Sequence, residues 1–105
     1  MHTQQTALAR LRQFAAEVRR LIPVRHVILF GSYARNEQRS DSDIDVALVA
    51  DQFVGLRFIN TVAFSQLLAQ RPYLDLEPHT FNTAAYEDPT SPLAEIVKAT
   101  GIVVA

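Results

Sequence analysis

The sequence contains no cysteine, which excludes disulfides and thiolate metal sites and leaves the redox compartment open. No stretch approaches the roughly 20 apolar residues that a membrane span requires. No short apolar block follows a basic start, so no secretory signal is expected and the chain is assigned to the cytoplasm. Internal repeats, linkers and low-complexity segments are lacking as well. A strong positive charge is also missing. The net charge is −1, whereas proteins that hold nucleic acid carry a basic field. What remains is a chain of 105 residues, 49% of them hydrophobic. That is the size of a single domain, residues 1–105, able to bury a core without covalent staples.

The near-neutral total hides an asymmetry. Residues 1–40 hold seven Arg against Glu17 and Glu37, a balance of +5, while residues 41–105 carry −6. Two explanations are open. An Arg-rich solvated helix can pair with acids elsewhere, or a basic rim can hold a polyphosphate against an acidic metal centre.

Helical periodicity runs through Ala7, Leu8, Leu11, Phe14, Ala15, Val18, Leu21 and Ile22, predicting an amphipathic helix over about 4–21 that Pro23 stops. Val24 to Phe30 reads as a strand. Gly31-Ser32 breaks it, with Ser32 placed to cap a short helix through about Arg35. Asn36 to Ser42 is a polar loop. Ile44 to Ala50 is a second strand, apolar on both faces after Asp45 and therefore internal. A helix is expected over about 55–70, ended by Arg71-Pro72. Tyr73 to Phe81 alternates like a strand with acids on one face, and Pro78 argues against a central place for its far half. Asn82 to Thr90 is a turn-rich loop. Ser91-Pro92 opens a helix over 92–100, Gly101 ends it, and Ile102 to Val104 can add a last strand. The order α-β-α-β-α-β-α belongs to an α/β (α+β) fold, with helices packed on a small mixed sheet.

Chemistry concentrates in Gly31 to Val49, GSYARNEQRSDSDIDVALV. Asp43 and Asp45 flank Ile44, so both carboxylates face one side of a strand while Ile44 enters the core. Two such charges, about 6.8 Å apart along the backbone, repel by roughly 2–3 kcal/mol at an effective dielectric near 20. Folding gains nothing from that repulsion, and a divalent cation reverses its sign. Paired carboxylates suit Mg²⁺, which is held by one or two of them plus substrate phosphates. Asp41 shares their parity but falls in the loop, where a turn role fits it better. The Gly31-Ser32 pair offers backbone N–H groups and a hydroxyl between strand and helix start, with no side chain at Gly31 to block a phosphate. Alone, such a pair usually marks a turn. Arg35 and Arg39 lie close enough to assist. A third carboxylate would complete a two-metal site. Asp75 and Glu77, on the acidic face of the third strand, are the candidates. His79 shares their parity, but a solvated or hydrogen-bonded histidine is the simpler account of it.

Taken together, Gly31-Ser32, Arg35 and Ser42-Asp43-Ile44-Asp45 resemble the GSxARGxxxxxSDxD signature of the minimal nucleotidyltransferases, in the DNA polymerase beta-like superfamily. The spacing fits without a gap, and the similarity extends from the leading helix to the closing one. Asn36 stands where that family usually has Gly. The resemblance implies that Gly31, Ser32, Arg35 and Ser42 hold the nucleotide. It implies that Asp43, Asp45 and Asp75 bind two Mg²⁺, or Mn²⁺, with Asp75 drawing the proton from the acceptor. The reaction would be attack of a hydroxyl on the α-phosphate of a nucleoside triphosphate, usually ATP, releasing pyrophosphate. Larger relatives carry an acceptor-binding domain for which this sequence leaves no room, so the acceptor is expected on a partner or on a second copy in a homodimer. Small proteins of this type are often paired with a HEPN-domain ribonuclease toxin, and the resemblance implies that this one acts as its antitoxin by adenylylating a tyrosine. The alternative is a catalytically silent module that neutralises a partner by contact.

Overall fold

A computed structural model describes residues 3–53 and 61–105. The first helix, α1 (Gln4–Leu21), starts where Thr3 and Thr6 satisfy each other's backbone N–H groups in a capping box. It ends at Ile22, whose N–H still reaches the Val18 carbonyl at 2.9 Å. Its stripe Ala7, Leu8, Leu11, Phe14, Ala15 and Val18 is buried, as the apolar spacing requires. The Arg19 guanidinium folds over the helix exit and donates to the Val24 carbonyl at 3.0 Å.

Four strands follow among the described residues: β1 (His26–Phe30), β2 (Ile44–Val49), β3 (Leu76–Phe81) and β4 (Ile102–Val103). Their order in the sheet is β3-β2-β1-β4. β1 runs antiparallel to both β2 and β4, while β2 and β3 are parallel. The parallel pair needs a crossover, and the connection between them contains helix α2 (Thr61–Leu68). The helix expected over 55–70 is described only from residue 61, its earlier part lying outside the described residues. β2 is internal, with Val46, Ala47, Leu48 and Val49 fully buried.

Alternation along the strands divides the core. Val27, Leu29, Ile44, Val46 and Leu48 pack against α1 and α2 through Leu11, Phe14, Val18, Phe64 and Leu67. Ile28, Phe30, Ala47, Val49 and Phe81 point to the opposite face. There α4 (Pro92–Thr100) covers them with Ala94 and Val97, assisted by Tyr86 of α3 (Thr83–Glu87). Ser91 caps α4, with Pro92 at its first position. Asn82 caps α3, a short helix inside the segment expected as loop. Among the described residues, no helix is long and apolar enough to cross a membrane.

The third strand starts later than its alternation predicts. Arg71–Tyr73 form a 3-10 turn instead, because Pro72 presets a turn backbone and Tyr73 turns its ring into the core. That ring meets Phe14 edge-on at 5.1 Å, and its hydroxyl donates to the half-buried Glu17 carboxylate. Burial, then Glu17, pushes the phenol well above the ordinary tyrosine range. Much of the early arginine charge is spent locally. Arg10 donates to the Pro72 carbonyl, and Arg25 pairs with Asp51 at 2.9 Å. Hydrogen bonds from Arg25 and Thr83 hold the Asp51 carboxyl below its usual range. Replacing Tyr73 by Phe keeps the packing and removes only the bond to Glu17. A loss of about 1.5–3 kcal/mol is expected, read by urea denaturation of wild type and variant.

Candidate active site

β1 ends at Phe30, and the chain reverses through Gly31 at φ +74°. The expected short helix is a single turn. The Arg35 N–H donates to the Gly31 carbonyl at 3.2 Å, Asn36 N–H to Tyr33 at 3.2 Å, and Glu37 N–H to Ser32 at 2.8 Å. The last two bonds form the crossed pattern that closes a helix through a left-handed residue. That residue is Asn36, at φ +57°. The backbone therefore has a physical reason to favour Gly there, and Asn is a side-chain-bearing residue that tolerates the conformation. The turn is anchored from below. Tyr33 is buried, and the Gln4 amide donates to the Tyr33 and Ala34 carbonyls at 3.0 and 3.2 Å. Gln4 in this role carries no motif of its own in the sequence.

The approach to β2 is closed by Ser42. Its hydroxyl accepts from the Arg39 N–H at 2.8 Å, and its own N–H donates to the Arg39 carbonyl at 3.1 Å. Asp43 follows, exposed, then the fully buried Ile44, then Asp45 with its side chain 26% exposed. In register, Asp45 has Phe30 of β1 on one side and Glu77 of β3 on the other. A methyl group built on Gly31 would lie 2.2 Å from Asp45 Oδ2. The carboxylate thus occupies the space that glycine leaves open.

On the other side, ligand atoms of Asp45, Glu77 and His79 all lie within 4.8 Å of one another. His79 Nε2 is 3.4 Å from Asp45 Oδ1 and 4.0 Å from Glu77 Oε1. The imidazole stands opposite Ala47, whose small side chain leaves it room to meet Phe30 edge-on at 5.0 Å. Asp43 and Asp75 are outside this group of three. The Asp75 carbonyl accepts from the Ile44 N–H at 2.8 Å, so the β2–β3 register, continued one step back, sets Asp75 beside Asp43. Arg35 is exposed and 3.4 Å from Glu37, and Asp41 is exposed in the loop. Two carboxylates and an imidazole nitrogen at this spacing fit a divalent cation.

The family profile described as nucleotidyltransferase domain matches residues 11–88, a span that includes both the Gly31 turn and the β2–β3 acids. The chain belongs to the nucleotidyltransferase domain family. Its fold is similar to the crystal structure of a candidate nucleotidyltransferase from Sulfolobus solfataricus, with a TM-score of 0.65 at 20% identity, covering 95% of this chain and 80% of that one. None of the curated proteins matches the chain.

Gly31→Ala should be damaging twice over. A left-handed backbone costs a non-glycine residue about 1–2 kcal/mol, and the new methyl must displace Asp45. Lower thermal stability and loss of nucleotidyl transfer are expected together. Asn36→Gly should fold at least as well as wild type, whereas Asn36→Val should lose about 1–2 kcal/mol, both measured by chemical denaturation.

Proposed function

We propose that this domain transfers a nucleoside monophosphate, AMP from ATP in the leading case, to a hydroxyl on another protein. The observation that carries the reading is the contact between Gly31 and Asp45. It puts a turn suited to phosphate and a charged acid side by side, as phosphoryl-type chemistry needs. The triphosphate would lie along Gly31 and Ser32, with Arg35 and Ser42 at its rim. Asp43 and Asp45, with Asp75 across the strand entrance, would hold the divalent ions, Mg²⁺ or Mn²⁺. Bound there, such ions would neutralise triphosphate charge and polarise the α-phosphate. The acceptor oxygen would bond to the α-phosphorus as the bond to pyrophosphate breaks, and its proton would pass to a carboxylate, Asp75 by the family motif.

The acceptor is proposed to be a tyrosine of a HEPN-domain toxin, which makes this chain an antitoxin. Its support is the family resemblance together with a charge of −1, which suits a protein partner better than a nucleic acid. Asp45→Asn and Asp43→Asn should each abolish transfer from labelled ATP while leaving thermal melting near wild type. Asp75→Asn should suppress transfer more than Glu77→Gln; the reverse ranking would move the proton acceptor to Glu77. Intact mass measured after incubation with toxin, ATP and Mg²⁺ should show added adenylyl groups. A toxin that is silenced without any mass change would establish inhibition by contact alone.

A further inference from the structure

His79 has no part in the family signature, yet its imidazole faces the acid at the centre of the site. Nε2 lies 3.4 Å from Asp45 Oδ1 and is shielded from solvent, but it makes no hydrogen bond among the described residues. A histidine kept to orient a carboxylate would be expected to complete that bond. Two ligands of one ion would not, because both lone pairs are directed at the metal. Ligand atoms bound at about 2.1 Å can be up to about 4.2 Å apart across an ion. The separations from Nε2, 3.4 Å to Asp45 and 4.0 Å to Glu77, fall within that limit. The ring is also held in place, edge-on to Phe30 at 5.0 Å and opposite the small Ala47.

We propose that His79 is a nitrogen ligand of the divalent cation held at Asp45 and Glu77, and that it biases this site toward Mn²⁺ and later transition metals over Mg²⁺. The proposal rests on the nucleotidyltransferase reading for a cation at Asp45, the acid common to both, and adds Glu77 and His79 as its further ligands and the choice of metal. Carboxylates alone suit Mg²⁺, whereas an imidazole donor raises affinity along the transition series with little gain for Mg²⁺. Replacing His79 therefore changes the ratio of affinities, which general loosening of the site would leave alone.

The probe is Mn²⁺ alone, added to the purified chain and followed by electron spin echo envelope modulation. Wild type should show the ¹⁴N coupling of a directly bound imidazole, and ¹⁵N-histidine labelling should convert it to the ¹⁵N pattern without any substitution. In His79→Gln, checked for folding by thermal melting, the coupling should vanish. The Mn²⁺-to-Mg²⁺ affinity ratio from competition titration should fall at least about tenfold, the lower end of what losing even an outer partner of a metal site costs. Wild-type Mn²⁺ binding that Asp45→Asn abolishes, but that shows no nitrogen coupling, overturns the role of His79 and leaves the nucleotidyltransferase reading intact. Nitrogen coupling in a chain that transfers no nucleotide upholds His79 and overturns that reading. No Mn²⁺ binding at all overturns the ligand assignment outright.

Discussion

A carboxylate pressed against a backbone that has no side chain is the constraint on which the site depends. Asp45 Oδ2 fills the volume a Gly31 Cβ would occupy, so any other residue there must push the carboxylate aside and hold a left-handed backbone as well. The same contact keeps Asp45 at the end of the sheet, still one-quarter exposed, while every residue after it in β2 is buried. Around it are a turn with N–H groups, a second carboxylate and an imidazole, which is the surrounding a bound cation and its phosphates would need.

Everything else in the fold fixes that contact in place. The antiparallel β1–β2 pairing sets Phe30 opposite Asp45. The single helical turn after Gly31 is ended by Asn36 and clamped from below by Gln4. The parallel β2–β3 register then decides which acids meet. With Ile44 beside Leu76, Asp45 falls beside Glu77, and Asp75 moves one step outward to the level of Asp43. A slip of two residues would keep every side chain on its face and exchange Glu77 for Asp75 or His79. The hydrogen bond from Tyr73 to Glu17 ties the turn before β3 to α1 and so opposes such a slip.

The elements with strong periodicity were legible in the sequence. The stripe of α1, the doubly apolar run of β2 and the Ser91-Pro92 opening of α4 correspond closely to their structures. The Gly31-to-Asp45 motif was legible too, because its residues are close in the chain and their spacing alone carries the information. The start of β3 was not. Tyr73 and Leu74 alternate like strand residues, but Pro72 and the buried Tyr73 ring favour a 3-10 turn, and that competition is settled by tertiary packing. Parity put Asp75, Glu77 and His79 on one face, but which of them reaches Asp45 depends on a pairing between distant strands that no local pattern encodes. His79 looked ordinary for the same reason: its importance comes from Asp45 and from the smallness of Ala47, both on another strand.

The claim that the phosphates and their cation sit between the Gly31 turn and the β2–β3 acids can be tested without turnover. Amide resonances of the chain would be recorded with a non-hydrolysable ATP analogue and substoichiometric Mn²⁺, whose unpaired electrons broaden nearby signals. The account predicts that Gly31, Ser32, Asp45 and Glu77 broaden first, while the cavity between α1 and α2 lined by Glu17, Arg20, Gln66 and Gln70 stays sharp. Broadening centred on that cavity, with the Gly31 turn unaffected, would contradict it.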